Sequence, residues 1–125
     1  MKHLIPEFEA LRRRFPPGFD SSLVMPCLQR IQEDHGFVSD EDIEGLVAWL
    51  KVVPRIQIEE VLSFYGMFRR APAGRVHIET CRNVSCSLVG AERLIDRVST
   101  KLGIKPGEAT ADGRFSLSTC ECLGS

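Results

Sequence analysis

No run in this chain approaches the ~18 consecutive apolar residues that a membrane-spanning helix needs. The opening residues, Met1-Lys2-His3-Leu4-Ile5-Pro6-Glu7, lack the apolar stretch of a signal peptide. Neither sign of charge is in excess: 16 Lys and Arg stand against 17 Asp and Glu, for a formal net charge of -1. That balance argues against general nucleic-acid binding, which relies on a basic surface, and leaves no polybasic tether for a membrane. Catalytic signatures are missing too. There is no Gly-rich phosphate loop, no nucleophile elbow, no paired-His helix motif and no C-x-x-C redox motif. The expectation is a cytoplasmic protein, or one facing the cytosol within a larger assembly.

What the chain does have is a core and a change of period. Its 125 residues suggest one or two small domains, and 43% hydrophobic content is enough to fill them. Leu4, Ile5, Phe8 and Leu11 fall at helical spacing, and Phe15 closes that segment before Pro16-Pro17-Gly18. A second stripe runs through Leu23, Val24, Cys27, Leu28 and Ile31, with Ser21 or Ser22 as its cap and Gly36 as its stop. Pro26 is tolerable there because it falls in the first turn. Ser39-Asp40-Glu41-Asp42 reads as a capping box ahead of Ile43, Leu46, Val47 and Leu50. Pro54 separates this from a fourth helix with Ile58, Val61, Leu62 and Tyr65. Arg69-Arg70-Ala71-Pro72-Ala73-Gly74 then marks a boundary, giving a helical domain over 1–72 and a second domain over 73–125.

Past the boundary, Val76, Ile78 and Thr80 alternate with Arg75, His77 and Glu79, as in a strand. Leu88, Ala91, Leu94, Ile95, Val98 and Leu102 return to helical spacing, and Gly103 ends that helix. Asp112-Gly113 is a turn before a short strand, Phe115–Thr119. Strand, cysteine loop, helix and strand open a small α/β domain, so the fold class expected is α+β, a bundle of about four helices followed by this domain.

Five cysteines are present, four of them after residue 80. In a reducing compartment such clustering favours metal or redox chemistry over structural disulfides. Cys81 and Cys86 form a C-x4-C pair in a strand-to-helix loop, and Cys122 follows about forty residues later. Soft, negative thiolates suit iron–sulfur clusters, which take four cysteines. Zinc in a structural interaction module is the rival, although its sites commonly use tighter pairs. If the second strand continued, Cys120 and Cys122 would both point away from the Phe115 and Leu117 face and could both reach a metal; otherwise Cys122 alone ligates and Cys120 packs. Cys27 belongs to a core stripe.

His3, His35 and His77 show no mutual ligand spacing. The expectation places His77 on an exposed polar face and His35 against the C-terminus of its own helix. Asp40-Glu41-Asp42 and Glu59-Glu60 read as solvated helix starts. Phe64-Tyr65-Gly66-Met67-Phe68 reads as a plug between the two regions, or as a partner surface.

Several segments together resemble one family. These are Gln32-Glu33-Asp34-His35-Gly36-Phe37-Val38-Ser39, Phe64-Tyr65-Gly66-Met67-Phe68, Cys81-Arg82-Asn83-Val84-Ser85-Cys86, Gly103-Ile104-Lys105-Pro106-Gly107-Glu108, Asp112-Gly113-Arg114-Phe115 and Glu121-Cys122-Leu123-Gly124. They resemble the thioredoxin-like [2Fe-2S] ferredoxins, the 24 kDa subunit family of NADH:quinone oxidoreductase, with relatives in NAD-dependent formate dehydrogenases and NAD-reducing hydrogenases. The resemblance implies a second domain that is the first half of a thioredoxin-like fold, and a chain shortened at its C-terminus relative to the family. It implies Cys81, Cys86 and Cys122 as cluster ligands and a fourth at the position after Ser125, while Cys120 stands where the family uses no ligand; a shared strand face with Cys122 would make Cys120 a substitute donor. For this 125-residue form it implies no intact cluster. It implies a non-catalytic electron carrier beside a flavin- and NADH-binding subunit, cytoplasmic or peripheral on the cytoplasmic side of the inner membrane as part of a complex, with a homo-oligomer as a further arrangement.

Overall fold

The apolar stripes of the first seventy residues become four α-helices in a computed structural model that describes residues 1–122. They are α1 (Ile5–Arg12), α2 (Val24–His35), α3 (Asp40–Leu50) and α4 (Arg55–Phe64). One apolar face of each turns inward. Phe8, Leu28, Ile31, Ile43, Leu46 and Ile58 are fully buried together, with Val38 and Val53 closing the core from the connecting loops. Cys27 lies inside this cluster. The chain divides into two compact units, Met1–Pro72 and Ala73–Ser125.

The helix ends follow local chemistry in most places. Ser39 caps α3: its hydroxyl accepts from the Asp42 N–H at 3.1 Å, while the Ser39 N–H donates to the Asp42 carboxylate at 3.0 Å. Gly36 ends α2 with φ near 92°, a left-handed value suited to a residue without Cβ. The expected serine cap of α2 is not made. Ser21 and Ser22 lie in a 3-10 turn, Asp20–Leu23, that runs straight into the helix, so the N-cap position falls to Leu23. Pro26 does sit in the first turn.

His35 does more than the sequence suggests. It meets Asp34 in the last turn of its own helix and also reaches across the connecting turn. Its Nε2 lies 2.9 Å from the Asp42 carboxylate, at the start of α3, and its Nδ1 lies 3.3 Å from Asp34. One side chain thus ties the end of α2 to the capping box of α3. Gln32, one turn earlier, ties α2 to the segment after α4. Its amide donates to the Met67 carbonyl at 2.8 Å and accepts from the Arg69 N–H at 2.7 Å. Phe68, between those residues, is buried in the helical core, whereas Phe64 is 80% exposed and Met67 about half.

The second unit holds β1 (Val76–Cys81), α5 (Val84–Leu88), α6 (Ala91–Leu102) and β2 (Phe115–Cys120). The strands pair in parallel, with Val76 opposite Phe115 and Cys81 opposite Cys120. Ala91, Ile95, Ile104 and Leu117 are its buried apolar residues. Gly74 enters β1 against the Phe115 carbonyl so closely that a Cβ would overlap it, and its N–H donates to the Ser116 hydroxyl at 3.0 Å. The single helix expected from Leu88 to Leu102 is in fact two. Gly90, at φ near 109°, breaks it, and Leu88 ends α5 with 84% of its surface exposed. The described residues therefore form a mixed α+β chain, and none of their helices is long and apolar enough to cross a membrane.

Two measurements check this unit-by-unit picture. Leu46→Ala should lower unfolding stability by about 2–5 kcal/mol, the range for emptying a packed core site; a change near zero would place Leu46 outside the core. The His35 pair predicts a pH dependence. Burial opposes charge on His35, but its hydrogen bonds to Asp34 and Asp42 outweigh that and raise its pKa above the ordinary 6.5. Burial likewise works against the Asp42 carboxylate, and the Ser39 and His35 hydrogen bonds win, lowering its pKa below 3.8. The His35 contribution is thus complete below its unfolded pKa and is lost as pH rises through the raised folded value. The Asp42 contribution is lost only as pH falls through the lowered one. Urea unfolding at about pH 5.5 and about pH 8.5 should show wild type losing stability relative to His35→Gln as pH rises. Equal losses in both proteins would remove the linkage.

Candidate functional site

Parallel pairing determines where the thiols meet. Side chains alternate along a strand, so His77, Glu79 and Cys81 share one face of β1. Their register partners on β2 are Ser116, Ser118 and Cys120. The opposite face carries Val76, Ile78 and Thr80 against Phe115, Leu117 and Thr119, and α6 packs on β1. Two thiols therefore end the two strands side by side. The ladder continues one step past them, with the Arg82 N–H donating to the Cys120 carbonyl at 3.0 Å.

Cys86 is not in the loop where its spacing from Cys81 suggests. It sits in α5, and Cys81 is the last residue of β1, so the C-x4-C pair spans the strand end and the helix. The Cys86 thiol is pushed above its ordinary value, first by a hydrogen bond with Cys81, then by loss of water, then by negative charge on Cys81, Cys122 and Cys120. Burial raises the Cys120 thiol, with Glu79, Cys81, Glu121 and Cys122 adding to it. Four cysteines from two distant stretches of sequence therefore act on one another at one end of the sheet. Cys122 lies beyond β2, exposed, so of the two arrangements the sequence leaves open, the one with the strand continuing through Cys122 is not the one formed. Asn83 and Glu121 hydrogen-bond at 3.2 Å and join the two thiol-bearing turns. Leu123 and Gly124, which complete the last resembling segment, lie outside the described residues.

The residues present fit a two-iron cluster by the chemistry of their donors. All are soft sulfur, and such a cluster takes them two to each iron. Among the described residues, no three or more His, Cys, Asp and Glu side chains converge to hold a metal ion. Cys81 is the common neighbour, joined to Cys86 by hydrogen bond and to Cys120 by register.

His77 departs from the exposed position expected for it. It is held half-buried between two hydroxyls of β2, with Nδ1 2.7 Å from Ser116 and Nε2 3.0 Å from Ser118, and Glu79 lies 3.4 Å away. Nothing in the motifs assigns a role to these serines; their i, i+2 spacing on a strand was the available signal. His3 lies in the helical unit, 2.9 Å from Asp34.

Residues 8–125 match the family described as thioredoxin-like [2Fe-2S] ferredoxin. The chain is 43% identical over 118 residues to the second E-type subunit of NADH-quinone oxidoreductase from Rhizobium meliloti (strain 1021), covering 94% of this chain and 68% of that protein. It is 39% identical over 112 residues to NADH-quinone oxidoreductase subunit 2 of Thermus thermophilus, covering 90% of this chain and 61% of the other. With the E-type NADH-quinone oxidoreductase subunit of Aquifex aeolicus the identity is 36% over 101 residues, 81% of this chain and 62% of the relative. The chain thus spans roughly two thirds of the length of these relatives.

Thiol reactivity should separate the core cysteine from the site. Burial pushes the Cys27 thiol up to about 12, with Arg12 opposing weakly, and it is fully enclosed. The thiolate is the nucleophile, so Cys27 should resist iodoacetamide in the folded protein while Cys122 is alkylated. Mass mapping reads both; rapid alkylation of Cys27 under native conditions would contradict its placement.

Proposed function

Because this chain belongs to the thioredoxin-like [2Fe-2S] ferredoxin family, we propose that it carries single electrons as the cluster-bearing subunit beside a flavin-bearing, NADH-oxidising subunit of an NADH:quinone oxidoreductase-type complex. The observation that carries this reading is the gathering of Cys81, Cys86, Cys120 and Cys122 at one end of the β1–β2 pair. Cys81, Cys86 and Cys122 would hold the cluster, with Cys120 as the substitute donor. When bound, the cluster supplies one-electron redox chemistry, which the thiols do not offer alone.

The chain's own residues set the conditions. The end of β1 fixes Cys81, and the turn of α5 fixes Cys86, so the first pair is held by regular backbone at both positions. The Asn83–Glu121 hydrogen bond holds the second thiol turn against the first. Val84, Leu88 and Val89, beside Cys86, are each more than 70% exposed. An exposed apolar rim next to a redox site suits close approach of a partner protein, which short-range electron transfer requires. The family resemblance, and the complexes that the relatives' names describe, support a flavin-bearing partner.

Extended by a cysteine after Ser125 and purified anaerobically, the protein should be brown, with visible sulfur-to-iron bands and equal iron and sulfide. In that form Cys81→Ala or Cys86→Ala should abolish or severely degrade those bands, and Cys27→Ala should retain them. Full cluster content in Cys81→Ala would overturn the ligand assignment.

A further inference from the structure

We propose that, in the cluster-free chain, Cys81 and Cys120 form a reversible disulfide across β1 and β2. The two residues are register partners on the same face of the sheet. Neighbouring strands lie about 4.8 Å apart, inside the roughly 4.4–6.8 Å Cα separation that disulfides span. Both side chains are half-buried, and hydrogen bonds on either side of them hold the pairing, from Val76 N–H to Arg114 C=O before and from Arg82 N–H to Cys120 C=O after. The competing thiols lack this register: Cys86, although hydrogen-bonded to Cys81, rides on a separate short helix, and Cys122 lies past the end of β2.

The oxidant is a small-molecule disulfide such as oxidised glutathione. One thiolate of the pair attacks it, forming a mixed disulfide and releasing one glutathione thiolate. The other thiolate then attacks the protein sulfur, so the internal S–S bond forms as the mixed bond breaks and the second glutathione leaves. Two protein thiols and one disulfide become one protein disulfide and two thiols, so electrons and protons balance. The link would also keep Cys81 from iron, a consequence that rests on the ligand reading above.

The test incubates the cluster-free full chain with oxidised glutathione and maps disulfides without reduction. Trypsin cuts after Arg75, Arg82, Arg93 and Arg114, so Cys81 and Cys86 fall on different peptides, and Cys120 and Cys122 share a third. The expected product joins peptide 76–82 to the peptide beginning at Phe115, with fragment ions placing the bond on Cys120. It should persist in Cys122→Ser, disappear in Cys120→Ser and be lost on adding dithiothreitol. A Cys81–Cys86 link, a bond on Cys122, or no internal link in wild type would overturn the proposal. Cluster reconstitution after oxidation is a separate readout. With the disulfide mapped, iron uptake by the oxidised protein equal to that of the reduced protein would count against Cys81 as a ligand and leave the disulfide standing.

Discussion

Parallel hydrogen bonding between β1 and β2 is the constraint on which the site depends. The two strands are separated by more than thirty residues, and a parallel pair needs a crossover to join them. Here α5, α6 and the loop after Gly103 make that crossover, and Ala91, Ile95, Ile104 and Leu117 supply the buried apolar surface that holds it down. The register is strongly specified. A shift of one residue would turn Leu117 out and bring Ser116 and Ser118 to the apolar side, away from His77. The same shift would separate Cys81 from Cys120. The packing that chooses the register and the placing of the thiols are therefore one event.

The helical unit solves a more local problem, and more of it was legible in the sequence. Ser39 and Asp42 are three residues apart, and the capping box they make needs nothing from elsewhere. Gly36 is similar, since a left-handed residue after an amphipathic stripe is a local signal. Sequence and structure part where a local rule meets a competing neighbour. Ser21 and Ser22 are good capping residues, but the 3-10 turn places them two and one steps too early. His35 meets Asp34 in its own last turn at 3.3 Å, and it also takes the Asp42 carboxylate across the turn at 2.9 Å, a contact that no local pattern signals. Gly90 lies inside an unbroken apolar pattern, and one glycine within such a pattern is often tolerated. Here its positive φ divides the pattern, which leaves Leu88 exposed beside Cys86.

For the site, the chemistry was legible and the geometry was not. Cysteine type and spacing pointed to soft-metal binding, because few residues do what a thiolate does. What spacing could not give was the partner of each thiol. Cys120 and Cys122 are neighbours in sequence, and extending the strand put them on one face; in the structure the strand ends at Cys120, and its register partner is Cys81, 39 positions earlier. A parallel register depends on tertiary packing, so no local pattern encodes it. The His77 site was hidden for the same reason. An alternating strand gives the same pattern whether its polar face meets water or the serines of another strand.

The crowding of the thiols also explains why such a site is suited to a cation-bearing group. Each thiolate raises the cost of ionising the next, and Glu79 and Glu121 add negative charge around Cys120. Cys81 and Cys86 share a hydrogen bond, which also favours the protonated form of Cys86. Metal binding at cysteine requires those protons to leave, so affinity for iron and loss of protons are coupled. A disulfide relieves the same crowding by another route, since it removes two ionisable sulfurs at once. The sheet register brings Cys81 and Cys120 together, and the negative charge around them bears on which form the sulfurs take.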